Sequence, residues 1–203
     1  VLLVIGGHSR NIGKTSVAEG VIRSLPEACW TAVKITQFGH GICSSTGEGC
    51  ECRLDYEHPY AVVEQRQADG SDSGRFLAAG AVRSFWVRTA MGQLGHAAPA
   101  LREIFAESGN VVVESNSVLN FFRPDFYVVV LDYSVSDMKD STRRFLNRAD
   151  ALVEIGERPI VPPWPGVPGR WLGVKPAFPA RPGRWVAPEL TRLVREKLQT
   201  NGK

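Results

Sequence analysis

The chain has 203 residues, is 43% hydrophobic and 22% charged, and carries 20 Gly, 13 Pro and a net charge of +3. That composition excludes a disordered, collagenous or membrane-bundle chain, and the length fits one domain with an ample core. No apolar run approaches the ~20 residues that cross a bilayer.

The charge is unevenly placed. Residues 1–158 carry −3, residues 159–203 carry +6, and nine of the 13 prolines fall in the second stretch. The expectation is a 1–158 body with a basic, Pro/Trp-rich extension over 159–203, packed on it and ending in a helix. The extension interleaves Trp164, Trp171 and Trp185 with Arg170, Arg181 and Arg184. Such a pattern can stack single-stranded nucleic acid. The simpler expectation is an extension that wraps the body, with Trp rings as anchors and Arg pairing the acidic surface. Neither nucleic acid nor a membrane is an expected partner. The run Val1–Ile5 has no charged n-region or cleavage site beside it, so the expected compartment is the cytoplasm.

In chain order, Val1–Ile5 reads as a buried strand and Lys14–Leu25 as a helix stopped by Pro26. Trp30–Ile35 is a second strand. Residues 36–60, rich in Gly, Ser, Cys and His, read as a long loop. Ser71–Gly80 is a short helix capped by Ser71 or Ser73. Val82–Val87 is a strand, Leu94–Glu107 a helix closed by Gly109, and Val111–Val113 and Phe126–Leu131 two β-branched strands. Asp137–Leu146 is a helix and Ala151–Ile155 a strand. In the extension, Trp171–Lys175 reads as a strand and Pro188–Leu198 as a helix with Leu190, Leu193, Val194 and Leu198 on one side. Short apolar runs separated by helices predict an α/β fold with a mostly parallel sheet covered on both faces.

The strongest signal is Gly6-Gly7-His8-Ser9-Arg10-Asn11-Ile12-Gly13-Lys14-Thr15-Ser16, which follows a strand and opens a helix. A phosphate-binding loop requires that context. Its backbone N–H groups and the helix N-terminus attract an anion. Gly7, Ser9, Asn11, Ile12, Gly13 and Ser16 would form the cradle, Lys14 would reach the β- and γ-phosphates, and Thr15 would sit on Mg²⁺. Five residues, not the usual four, separate Gly7 from Gly13. Glu114 ends a β-branched strand, where open parallel sheets place ligand-binding groups, and is the expected second Mg²⁺ ligand. Asp72 is a candidate for Mg²⁺ or for orienting the attacking group, and equally for a helix terminus. Lys34, at a strand end, offers a further positive charge.

The five-residue spacer ending in Gly-Lys-Thr resembles the loop of dethiobiotin synthetase. Other segments are similar to the molybdopterin-guanine dinucleotide biosynthesis protein B (MobB) family. These are Val33-Lys34-Ile35-Thr36-Gln37-Phe38-Gly39-His40, Asp72-Ser73-Gly74-Arg75-Phe76-Leu77-Ala78-Ala79-Gly80-Ala81 and Val111-Val112-Val113-Glu114. The resemblance covers about residues 1–155. The chain departs from it where Ser115-Asn116 replaces the Gly after Glu114, and at Gly39, where a second His is missing. It implies a P-loop NTPase fold and a GTP-binding accessory protein of molybdenum-cofactor biosynthesis, with a biosynthesis protein as partner.

Base recognition is weakly written. Asn147-Arg148-Ala149-Asp150 resembles a guanine motif, but it precedes a strand where the motif follows one; Asn147 fits a helix C-cap better. GTP and ATP therefore both remain open. Cys29 reads as a small core residue. Cys43, Cys50 and Cys52, with His40, lie in one Gly-rich loop and could complete a Zn²⁺ site, although the spacing lacks a C-x2-C knuckle. Ser/His/Asp or Cys/His nucleophilic catalysis has no motif support.

The expected function is Mg²⁺-dependent binding of GTP or ATP with hydrolysis or phosphoryl transfer, in which Lys14, Asp72 and Glu114 carry the chemistry. Three alternatives stand beside it: an ATP-dependent ligase or kinase like dethiobiotin synthetase, a metal-delivery GTPase using the Cys-rich loop, and a non-catalytic nucleotide switch. A homodimer is also left open.

Overall fold

The computed structural model describes residues 1–39 and 58–201. Among the described residues the chain forms eight strands: β1 Leu2–Gly7, β2 Thr31–Phe38, β3 Tyr60–Gln65, β4 Arg83–Ala90, β5 Val111–Glu114, β6 Phe126–Asp132, β7 Ala151–Ile155 and β8 Ala177–Ala180. Among the described residues five α-helices connect strands, α1 Lys14–Ser24, α2 Asp72–Ala78, α3 Leu94–Ala106, α4 Asp140–Phe145 and α5 Arg170–Gly173, and α6 Pro188–Asn201 follows β8. The sheet order is β3-β4-β2-β5-β1-β6-β7-β8. Every pairing is parallel except β3 on β4. The expected α/β class with a mostly parallel sheet is confirmed.

The strands at the centre are apolar without a break because both of their faces are buried. Alternation then sorts their side chains between two cores. Leu3, Ile5, Val112, Phe126, Val128 and Val130 face α1 and α6, packing with Val17, Val21, Ile22, Leu190 and Val194. Val4, Val111, Val113, Tyr127, Val129 and Leu131 face α3 and α4, packing with Leu94, Leu101, Ile104 and Phe145. Leu193 and Leu198 also pack against the first core. At about 25 cal/mol per Å² of apolar surface buried, these two layers supply the main stabilisation of the fold.

The structure corrects several sequence expectations. β2 runs on to Phe38, and β3 is a strand that the sequence pattern does not predict. Its side chains are only partly buried, so its alternation is weak; pairing with β4 makes it a strand. The strand expected at Trp171–Lys175 is instead the short helix α5, and the strand lies at Ala177–Ala180. The N–H groups of Leu172 and Gly173 both bond to the Gly169 carbonyl, at 3.0 Å each, which winds this segment. Pro179 is tolerated in β8 because the strand is at the sheet edge. α4 starts at Asp140, not Asp137, and a 3-10 turn over Leu146–Arg148 contains Asn147, which caps no helix. Cys29 is exposed, in a left-handed turn (φ 49°) before β2, and is not a core residue.

The 159–203 stretch contributes β8 to the sheet and α6 to the first core. Trp164 is buried, and its Nε1 donates to the Val135 carbonyl at 2.8 Å. Arg195 meets Glu27 at 3.1 Å on the surface. No helix among the described residues is long and apolar enough to cross a membrane.

Candidate functional site

At the C-terminal ends of β1, β2 and β5 the chain opens a cleft of about 970 Å³. Five basic side chains (Arg10, Lys14, Lys34, Arg75, Lys139) and three acidic ones (Asp72, Glu114, Asp140) line it. The loop between β1 and α1 forms one wall. Residues Arg10 to Ser16 face the cleft, whereas Gly7 and Ser9 lie beneath it as anchors. Ile12 is buried in the α1 core, so it fixes the loop from below.

Asn116 holds the base of this loop. Its Oδ1 accepts the Gly7 N–H at 3.0 Å and the Tyr127 hydroxyl at 3.3 Å. Its Nδ2 donates to the Gly7 carbonyl at 2.9 Å and to Thr142 Oγ1 at 2.7 Å. Thr142 Oγ1 in turn donates to the same Gly7 carbonyl at 2.9 Å. Both donors and both lone pairs of the amide are thereby used, which a buried amide requires. Gly6 has to be glycine here, because a Cβ would stand 1.9 Å from Asn116 Oδ1.

His8 holds the other side. The Asp132 N–H donates to its Nε2 at 3.0 Å, so Nδ1 carries the proton and donates to the Asp137 carbonyl at 2.7 Å. The ring is fully buried and sits 4.6 Å from the Trp164 ring. Burial keeps it neutral and pushes its pKa below the ordinary 6.5. Ser9 Oγ donates to Asp137 Oδ2 at 2.7 Å, tying the loop again to the segment after β6.

Gly13 adopts φ 85°, which favours glycine, and its open face is covered by Trp185 from the β8–α6 connection. Lys14 folds back and donates to the Ser9 carbonyl at 2.7 Å. Burial, only partly offset by Glu114, pushes its ammonium down to about 8.

Next to Lys14 is a polar cluster. Thr15 Oγ1 donates to Glu114 Oε2 at 2.7 Å. Lys34 Nζ lies 2.7 Å from Glu114 Oε1, 2.6 Å from Asp72 Oδ2 and 3.5 Å from Thr15 Oγ1. Burial alone would lower Lys34, but Glu114 and Asp72 outweigh it and hold its pKa above the ordinary value. Burial would likewise raise Asp72, but the Lys34 charge and hydrogen bond keep it below the ordinary carboxylate range. Asp72 stands in the first turn of α2, which Ser71 caps by accepting the Gly74 N–H at 3.1 Å. Arg75 pairs with Glu19 at 2.7 Å and reaches Ser16 Oγ at 3.2 Å.

Thr15, Asp72 and Glu114 are hard oxygen donors gathered around the Lys34 ammonium, a donor type that suits Mg²⁺. The predicted loop residues, Asp72 and Glu114 are brought together. His40, Cys43, Cys50 and Cys52 lie outside the described residues. Among the described residues no group of three His, Cys, Asp or Glu is placed to hold a metal. Asp150 accepts the Tyr127 N–H at 2.8 Å at the start of β6, the end of that strand away from the cleft. Sequence reasoning missed His8, Asn116 and Lys139 as site residues. The spacer length was a signal for the first, and the loss of Gly after Glu114 was one for the second.

No family model and no curated protein matches the chain. Among solved structures, HypB from Helicobacter pylori, determined in complex with nickel, superposes with a TM-score of 0.51 at 14% identity, covering 98% of this chain and 88% of that one. LpxK from Aquifex aeolicus, determined with ATP, gives a TM-score of 0.46 at 14% identity, covering 88% of this chain and 53% of that one. The strand order, the loop between β1 and α1 and the HypB superposition agree: the chain has the P-loop NTPase fold.

Proposed function

We propose that the chain binds a nucleoside triphosphate with Mg²⁺ and cleaves its terminal phosphoryl group. The observation that carries this reading is the meeting of Thr15, Glu114, Asp72 and Lys34 within 3.5 Å contacts beside Lys14 at the head of α1. The loop N–H groups and Lys14 hold the β- and γ-phosphates, while Thr15, Glu114 and Asp72 hold the metal. Mg²⁺, when bound, neutralises phosphate charge. The bond from the terminal phosphorus to its bridging oxygen breaks, nucleoside diphosphate leaves, and a new P–O bond forms to water or to an acceptor. Protein catalysis of that step is mostly positioning and charge.

Transfer to an acceptor is favoured by one feature. The cleft continues past the metal-binding cluster to Gln37, Trp86, Met91 and Ser117. That leaves room for a second substrate, as in a ligase or kinase of the dethiobiotin-synthetase type. An accessory role in molybdenum-cofactor maturation, with GTP as the nucleotide, rests on the sequence resemblance of residues 1–155 to the MobB family. A nickel or zinc cargo would rest on the Cys-rich 43–52 segment and on the HypB likeness.

A thermal-shift screen with GTP and ATP, with and without Mg²⁺, tests the core of this reading. A folded-state binder raises the melting temperature by mass action, by about 2.7 kcal/mol of stability at a hundredfold excess over Kd. A Mg²⁺-dependent rise with either nucleotide is expected, and no rise with either rejects the reading. Release of inorganic phosphate, with and without candidate acceptors, then separates an NTPase or transferase from a silent switch.

A further inference from the structure

Lys139 is a basic residue of the cleft that the function above does not use. It precedes α4 and lines the cleft together with Lys14, Arg10 and Lys34. Its place is set by the phosphate loop itself, because the Lys139 N–H donates to the His8 carbonyl at 2.8 Å. Lys34 is matched by Asp72 and Glu114, and Arg75 by Glu19. The Lys139 ammonium, half-buried, makes no hydrogen bond or ion pair with any described residue.

The charges around it are mostly of its own sign. Lys14 and Arg10 face it from the loop and Lys34 from β2, against Glu114 from β5; Asp140 is on its own helix. Burial first, then Lys14 and Arg10, push its ammonium down to about 7. A desolvated cation turned toward other cations destabilises the empty protein. Such an arrangement is resolved by an anion that sits among them. Lys139 lines the same cleft as Lys14 and is tied by its backbone to the same loop, so the anion is the one Lys14 serves, the terminal phosphates.

We propose that Lys139 is a second phosphate-binding lysine, held by His8 against the loop so that its ammonium contacts the terminal phosphates of the bound nucleotide. The proposal rests on the nucleotide reading of the cleft. It adds a ligand contact from the segment after β6, which the loop motif does not contain.

The test measures Kd by calorimetry for MgGTP, MgATP, magnesium tripolyphosphate, GMP and AMP, with wild type, Lys139→Met and Lys139→Arg. Loss of a charge-assisted phosphate contact should weaken the triphosphates and tripolyphosphate by about tenfold or more. The monophosphates should stay within about twofold, and Lys139→Arg should recover most of the loss. Unliganded Lys139→Met should also melt higher than wild type, since it removes an unpaired charge from a cationic cluster. A structural lysine would move the melting temperature down instead. Wild-type triphosphate affinity in Lys139→Met overturns the proposal, as does an equal loss for mono- and triphosphates. If wild type binds the monophosphates but no triphosphate, the proposal also fails. Absence of all binding to wild type overturns the nucleotide reading with it. Should Lys139→Met not fold, Lys139→Gln replaces it under the same criteria.

Discussion

Lys34 and Glu114 are register partners on the adjacent parallel strands β2 and β5, and their side chains meet at 2.7 Å beside the first turn of α1. The pair is nearly enclosed, with Glu114 3% and Lys34 15% exposed. A lysine there provides a positive charge in the place where Thr15 and two carboxylates converge. Lys34 therefore offsets one of the two carboxylate charges before any metal arrives.

Glu114→Ala removes one partner of this enclosed pair. It should destabilise the chain by about 3 kcal/mol, since breaking a buried pair leaves an uncompensated charge and Asp72 restores only part of it. Glu114→Gln keeps the shape and should cost less, but should blunt the Mg²⁺ dependence of nucleotide binding. Urea unfolding and Mg²⁺ titration of nucleotide affinity check the two variants. Wild-type Mg²⁺ dependence in Glu114→Gln would remove Glu114 from the metal site.

The buried, neutral His8 makes stability depend on acidity. Its pKa is lowered in the folded state, so below about 6.5 the unfolded chain binds a proton that the folded one refuses. Stability should fall as pH drops from 7 to 5. His8→Asn should show a shallower fall and a lower stability at pH 7 by about 1–3 kcal/mol, from the Asp132 N–H and Asp137 carbonyl left unpaired. Denaturant unfolding across that range decides it; parallel pH slopes for the two proteins would remove His8 as the cause.

Gly13 and Trp185 form a second testable pair. A Cβ at Gly13 would lie 2.2 Å from the Trp185 ring, at a φ of 85° that L-residues rarely adopt. Gly13→Ala should destabilise by roughly 2 kcal/mol or more, of which about 1–2 is backbone. Gly13→Ala with Trp185→Ala should recover the steric part and show a clear coupling in a double-mutant cycle. Additive effects would mean that the ring gives way freely.

Lys14→Ala should nearly abolish nucleotide binding, read by calorimetry. In wild type the ammonium loses its proton at about 8 in the empty cleft, and a bound phosphate requires it charged. Affinity should therefore decline as pH rises through 8, with proton uptake on binding, and Lys14→Arg should flatten that decline up to pH 9. A pH-independent Kd for wild type between 7 and 9 contradicts the assignment.

The parts of this site that could be read in the sequence are those whose cause is local. β1, the glycine loop and α1 are contiguous, so strand, turn and helix signals reinforce one another. Glu114 ends an apolar run at the cleft edge of the parallel sheet, whereas Lys34, expected at a strand end, lies inside β2 because that strand continues to Phe38. His8, Asn116 and Lys139 were not legible because their roles come from distant partners: Asn116 serves Gly7 across 109 residues, and Lys139 is bound to His8. β3 has weak alternation because it is an edge strand whose side chains are only partly buried, Tyr60 and Val62 against the α3 core, and Pro176 and Pro179 hid β8 while the apolar Trp171-Leu172 imitated a strand. Cys29 reads as a core residue because it adjoins a strand, yet a left-handed turn carries it outward.

The anchoring of the phosphate loop has a thermodynamic consequence. Asn116, Thr142, His8 and Asp137 hold its backbone from both sides before any ligand arrives. An incoming anion then meets a shape that is already set and loses little affinity to ordering the chain. Binding should accordingly show a small heat-capacity change, with selectivity governed by how well ligand charge matches Lys14 and its neighbours.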